Sequence, residues 1–226
     1  MNKKIIIISL GGSLVVPKEI SIEFLKGFRR LVLDNIKDKK FIITVGGGKI
    51  CRDYQKAASA IIDIDKEDLD WIGIHTTRLN AHLLRTIFRD YAHPKVIKDP
   101  NEEIEFNEDI LIAAGWKPGW STDYDAVLLA KNFNVNTIIN LTNVDYAYDK
   151  DPNKFGDAKI IKEISWSEFS KVVGNEWNPG KNLPIDPIAT KEARKLKLKV
   201  IITNGNIMGN LKNILEGREF KGTIIS

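Results

Sequence analysis

Cysteine is nearly absent from the chain, with Cys51 the only one among 226 residues. One thiol closes no internal disulfide and builds no zinc site by itself, which excludes oxidised scaffolds and metal–thiolate centres. Histidine is almost as scarce, since His75, His82 and His93 are the only three. None lies beside Cys51, so that thiol reads as a buried structural group and not as a nucleophile. Long apolar runs are missing as well. IIIISL near the start falls far short of the ~20 residues of a membrane span, and no basic, apolar and small-residue leader precedes it, so the expected compartment is the cytoplasm. Nor is there a large excess of one charge. The net value is +4, with acids interleaved among the bases as in KEARKLKLK. A nucleic-acid surface shows a dense Lys/Arg face with stacking aromatics, so neither nucleic acid nor membrane is an expected partner.

What is present is material for one sizeable α/β core, at 43% hydrophobic and 28% charged residues. Strand-like and helix-like segments alternate. Strands are expected at Lys4–Leu10, Phe41–Val45, Asp109–Ala113, Asn136–Leu141, Lys199–Thr203 and Gly222–Ser226. Helices are expected at Ser21–Lys37, Lys49–Ile61, Asp68–Tyr91, Asp123–Asn132 and Pro187–Lys197, with a further short one before the last strand. In the first helix Phe24, Leu25, Phe28, Leu31 and Val32 fall at helical spacing behind Ser21, a residue suited to capping. Such alternation implies a mostly parallel sheet covered by helices on both faces, with ligands at the carboxyl ends of the strands.

The residues after each strand therefore carry the functional signal. Gly11-Gly12-Ser13 follows the first strand and Gly46-Gly47-Gly48 the second. WKPGWSTD follows the third and TNVDYAY the fourth. Glycines let backbone N–H groups approach an anion, and a helix N-terminus adds partial positive charge. The triple glycine is not a Walker loop, because GxxxxGK[ST] would need Gly at 43 and a hydroxyl at 50, where Ile43 and Ile50 stand; nor does it spell GxGxxG. Two glycine loops aimed by adjacent strands suit two anionic groups facing each other, the layout that phosphoryl transfer between phosphates requires. Ser13, Ser121 and Thr122 supply short hydroxyls, and Arg52 lies one turn beyond the second loop. Asp123 is either a helix cap or a site acid.

Six segments in this order, LGGSLVVP, VGGGKICRDY, DWIGIHTTRLNA, PGWSTDYDAVLLA, TNVDYAYDKDP and IDPIATKEARK, resemble the amino acid kinase family, and within it the archaeal-type UMP kinases. The resemblance covers nearly the whole chain. It implies an α/β/α sandwich formed by one domain, residues 1–226, with roughly 1–135 as the acceptor half and 136–226 as the ATP half. It implies transfer of the γ-phosphoryl group of ATP to UMP, with Mg2+ carried by ATP and no metal ligated directly by the protein, in a homo-oligomer that is commonly hexameric. Gly12, Ser13, Gly48, Arg52, Thr142, Asn143, Tyr148 and Asp151 match the ATP site. Gly47, Asp70 and the run Trp116, Lys117, Pro118, Gly119, Trp120, Ser121 and Thr122 match the UMP site, Asp70 at the ribose or else as a cap of the long helix. Asp123 matches the acid that organises the catalytic cations.

The chain also departs from the family pattern. Ser9 stands where many members have lysine, and Lys49, Lys117 and Lys181 are candidate replacements for its charge. Trp116 and Trp120 stand where the pattern shows small or polar residues and a histidine or phenylalanine, and Tyr146 replaces the usual glycine, which alters the nucleotide loop if that glycine serves a positive φ. Two other readings of the same scaffold are an isopentenyl phosphate kinase, whose pattern has histidine near the triple glycine where this chain has Lys49 to Arg52, and a nucleotide-binding or storage protein without turnover.

Overall fold

The computed structural model describes residues 3–150, 155–174 and 185–226. Its first half runs β1 (Lys4–Leu10), α1 (Gly12–Val15), α2 (Ile22–Asn35), β2 (Lys39–Val45), α3 (Gly48–Ile61), α4 (Lys66–Ile87), β3 (Ile110–Ala113) and α5 (Thr122–Asn132). The second half runs β4 (Thr137–Thr142), β5 (Ala147–Tyr148), β6 (Ile160–Ile161), β7 (Glu163–Ile164), α6 (Trp166–Val173), α7 (Pro187–Lys195), β8 (Lys199–Asn204), α8 (Met208–Leu215) and β9 (Thr223–Ile225).

Seven strands form one sheet in the order β3-β2-β1-β4-β8-β9-β7. Five adjacent strands from β3 to β8 are parallel, β9 runs antiparallel to β8, and β7 is parallel to β9. A parallel sheet covered on both faces needs apolar residues at successive positions, which is why β1 reads IIIISL and not as an alternation. Ile8 and Leu10 pack with Phe24, Phe28, Leu84 and Leu211 on one face. Ile7 packs with Val127, Leu129, Phe169 and Ala189 on the other. Each such fully buried side chain contributes about 1.5–3 kcal/mol. The layers are thus α2, α4 and α8 over one face and α5, α6 and α7 over the other. This is the α/β/α sandwich that the resemblance implies.

Several expected boundaries shift, each for a local reason. Helix α4 stops at Ile87 and not Tyr91 because Ala92 already bridges Ile110, and a helical backbone cannot pair with a strand. Ser21 holds the cap position of α2 but its hydroxyl makes no cap hydrogen bond. Helix α7 ends at Lys195, with Lys197 in the left-handed region at φ 54°. Tyr146 has no positive φ, so its position does not require a glycine. Five elements escaped the sequence reading, among them α1, a single turn of four residues. The strands β5, β6 and β7 have two residues each, too few for a period of two to show. Helix α6 did carry a signal, a capping box between Ser165 and Glu168.

Candidate functional site

The carboxyl ends of β1 and β2 lie side by side, Leu10 paired with Val45, and the two glycine loops that leave them touch. A Cβ on Gly12 would stand 2.2 Å from the Gly48 nitrogen, and one on Gly48, at φ +69°, 2.4 Å from the Gly12 oxygen. These glycines therefore let two backbones meet. The Gly46 N–H donates to Leu10 O at 3.0 Å and the Lys49 N–H to Val16 O at 2.9 Å, which locks the pair. Helix α3 starts at Gly48 and turns its positive end to this junction.

Helix α4 joins the glycine junction to the 115–121 loop. Asn80 donates to Gly46 O at 2.8 Å and Gly47 O at 3.2 Å. On the other side, Thr77 Oγ1 accepts from Gly115 N at 2.8 Å, Arg78 donates to Trp116 O at 3.0 Å, and Asp70 Oδ2 accepts from Gly119 N at 2.7 Å. Asp70 does not cap α4, because Asp65 does. Its carboxylate instead holds the turn at Gly119, whose φ of +86° suits glycine. The loop's other end is fixed by Ser121, which donates to Asp186 and caps α5 by accepting from the Asp123 and Tyr124 N–H groups.

With Ser121 as the cap, Asp123 is free of that duty. Its Oδ1 accepts from Ser9 Oγ at 2.7 Å and from Asn140 Nδ2 at 3.2 Å. The acid thus straddles the adjacent ends of β1 and β4. Crowding by protein, then the charge of Asp186, pushes its carboxyl up to about 7, against the pull of the Ser9 and Asn140 hydrogen bonds. The residue as a whole is half-buried. Asp186 is raised by burial, opposed by Ser121 and by the Ala189 and Ile188 N–H groups. Asp125, 1% exposed, is raised well above the ordinary range by burial, with the Trp116 N–H acting against it. Three carboxyls thus lie within electrostatic reach of one another beneath the loop, and burial favours their protonated forms. Among the described residues no group of three or more His, Cys, Asp or Glu side chains has the arrangement of a metal cage.

The other expected site residues fall around this centre. Lys49 is turned to Asp53, 2.6 and 2.7 Å from its two oxygens. Arg52 lies exposed one turn into α3. Cys51 is half-buried and its thiol is raised, by burial first, so it stays protonated and inert. Gly12 and Ser13 lie in α1. Thr142 turns its hydroxyl to the Val144 oxygen and nitrogen. The segment that carries Asn143 and Tyr148 is held by Asn204 on Asp145 and by Thr223 on the Ala147 N–H, each at 2.8 Å. Pro118 and Thr122 flank the Gly119 turn and the start of α5. Asp151 and Lys181 lie outside the described residues. Sequence reasoning missed Asn140, Asp186, Arg78 and Asn80; only Asp186 had a signal, an acid directly before the proline that opens a helix. A cavity of about 600 Å³ lies at the opposite, amino-terminal end of the strands, beside Lys4, Lys199 and Ile214, away from these residues.

A model of the amino acid kinase family matches residues 4–204. A uridylate kinase of Thermoplasma volcanium is 35% identical over 221 residues, 96% of this chain and 95% of that one. One from Methanobrevibacter smithii is 33% identical over 98% of this chain and 99% of its own. The crystal structure of uridylate kinase from Archaeoglobus fulgidus superposes with a TM-score of 0.81 at 31% identity, covering 99% of this chain and 100% of that one. UMP kinase from Ureaplasma parvum, at 20% identity and a TM-score of 0.78, shares the fold.

Proposed function

The chain belongs to the amino acid kinase family, and from that premise we infer that it is a UMP kinase, a phosphotransferase that moves the γ-phosphoryl group of ATP to UMP, giving UDP and ADP. An oxygen of the UMP phosphate forms the new bond to the γ-phosphorus as the bond to the β-bridging oxygen breaks. No general base is needed, because the attacking phosphate is already ionised near neutral pH. Catalysis then reduces to positioning and charge.

The observation that carries this reading is the seat of Asp123 between the ends of β1 and β4, with the glycine junction on one side and the 115–121 loop on the other. In this reading the 115–121 loop, with Asp70 and Gly47, receives UMP. Thr142, Asn143 and Tyr148, with Gly12, Ser13, Gly48 and Arg52, receive ATP. Residues 1–135 and 136–226 are then the acceptor and donor halves of one domain. The crowded carboxyls of Asp123 and Asp186 fit a cation-rich neighbour, and Mg2+ bound to ATP would supply charge neutralisation there. We further infer a homo-oligomer. Exposed Leu79 (60%) and Trp71 (36%) on α4, and Ile61 (81%) on α3, give a second copy an apolar face to cover. By this reading the enzyme works on pyrimidine nucleotides in the cytoplasm; no helix among the described residues is long and apolar enough to cross a membrane.

The test is ADP release from Mg-ATP with UMP, CMP, dUMP, AMP and isopentenyl phosphate as acceptors. UMP should lead the panel. Equal or greater turnover with isopentenyl phosphate would transfer the chain to another kinase of the fold.

A further inference from the structure

The helix layer over one face of the sheet is shorter than the strands beneath it. Helix α8 has eight residues and β8, on which it packs, has six, or about 12 Å against about 20 Å. The chain leaves α8 at Leu215 and turns through Gly217, at φ +69°. The space left over the amino ends of β1, β4 and β8 is the cavity of about 600 Å³, a volume within the range of small-molecule sites. Ile6, Ile139 and Ile201 line it from the sheet, and Ile214, Leu215 and Phe220 from α8 and the segment after it.

This cavity is separate from the reaction centre. Side chains alternate along a strand, so these three isoleucines lie on the face opposite to Ile7, Ile138 and Ile202. Ser9 and Asn140 share the face of Ile7 and Ile138, and there they hold Asp123. The sheet itself therefore stands between the cavity and that acid.

Charge distinguishes the cavity from an ordinary apolar gap. Acids and bases are nearly balanced in the chain, 30 against 34, yet the cavity is lined by Lys4, Lys199 and Arg218 and, among the described residues, by no aspartate or glutamate. The local field is thus positive. The ammonium groups of Lys4 and Lys199 have no ion pair or hydrogen bond among the described residues. Arg218 holds Glu216 at 3.0 Å, a surface pair that solvent screens.

We propose that this cavity is a second ligand site of the chain and takes a small amphiphilic organic anion, its apolar body against the isoleucines, Leu215 and Phe220 and its acidic group at Lys4, Lys199 and Arg218. A neutral apolar molecule gains only the body of the site, and an inorganic anion only its rim. The proposal holds whichever phosphate the chain phosphorylates.

The probe is 1-anilinonaphthalene-8-sulfonate, an apolar ring system with one sulfonate, and its uncharged counterpart is N-phenyl-1-naphthylamine. Fluorescence titration of the full chain, with Mg-ADP and UMP saturating so that the nucleotide cleft is filled, should show one sulfonate site per chain, about 10-fold or more tighter than for the neutral amine. Lys4→Glu combined with Lys199→Glu should weaken the sulfonate by about 10-fold or more and leave the neutral amine within about two-fold, with melting temperature and kcat unchanged. Lys56→Glu combined with Lys66→Glu, at exposed positions of α3 and α4, should alter neither probe. Leu215→Trp, which fills the cavity, should weaken both. Sulfonate binding that is absent, or untouched by the Lys4 and Lys199 changes, or weakened as much by the remote pair, would overturn the site. Equal weakening of the neutral amine by the Lys4 and Lys199 changes would overturn the role of charge. A smaller mass for that variant in light scattering would overturn the proposal by showing this face to be an interface between copies.

Discussion

Asp123 combines a cost to the fold with the central part in the proposed chemistry. Unfolded, its carboxyl titrates near 3.8; folded, near 7. Between those values the folded chain holds the proton more tightly than the unfolded one, so stability falls as pH rises through that window and the loss is complete above about pH 7. Asp123→Asn keeps the shape and removes the charge. It should therefore raise the melting temperature at pH 8 by about 3–6 °C, with the gain narrowing toward pH 5. The same variant should lose kcat by about 100-fold. Thermal melts across pH and steady-state kinetics read the two effects separately; a gain that does not vary with pH would mean that the carboxyl titrates in the ordinary range, and unchanged kcat would remove Asp123 from the mechanism. Its place as a site acid was legible only as one of two options, since an acid at the start of a helix is commonly a cap. Ser121, which takes that duty through its hydroxyl, removes the cap reading.

At the scale of elements, α4 is the strut of the site. Asn80 reaches one loop while Asp70, Thr77 and Arg78 reach the other. Asp70→Ala removes both the anchor of Gly119 and the proposed acceptor contact, so KM for UMP should rise by about 10-fold or more with KM for ATP nearly unchanged. Equal losses for both substrates would reduce Asp70 to a structural anchor of the Gly119 turn. The long elements were readable because they are long. Helices α2 to α5 and strands β1, β2, β4 and β8 each carry enough buried positions to set a period or an unbroken apolar run. What the sequence hides is contact between elements. Nothing in VGGGK says that Gly48 will lie against Gly12, and nothing in TTRLN says that Arg78 will hold a carbonyl 38 residues away.

At the scale of the molecule, the seam between the proposed halves runs between β1 and β4, neighbours in the sheet though more than a hundred residues apart in sequence. Asp123 bonds to a residue of each strand, so relative movement of the halves would act directly on its two partners. The fold class and the segment order were legible through six motifs at once. The assembly was not, because an apolar face on α4 looks the same in sequence whether a core or a second copy covers it. Leu79→Glu, at a side chain 60% exposed, should shift the chain to a smaller species in light scattering if that face is an interface; an unchanged mass would place the interface elsewhere or show the chain to be monomeric. The account as a whole turns on transfer, and the most direct measurement is a phosphorus NMR time course of the unaltered chain with Mg-ATP and UMP. We expect UDP and ADP to appear one for one, with no inorganic phosphate and no ADP when UMP is left out. ADP formed together with inorganic phosphate regardless of UMP, or no product at all from a folded chain that binds ATP, would contradict it.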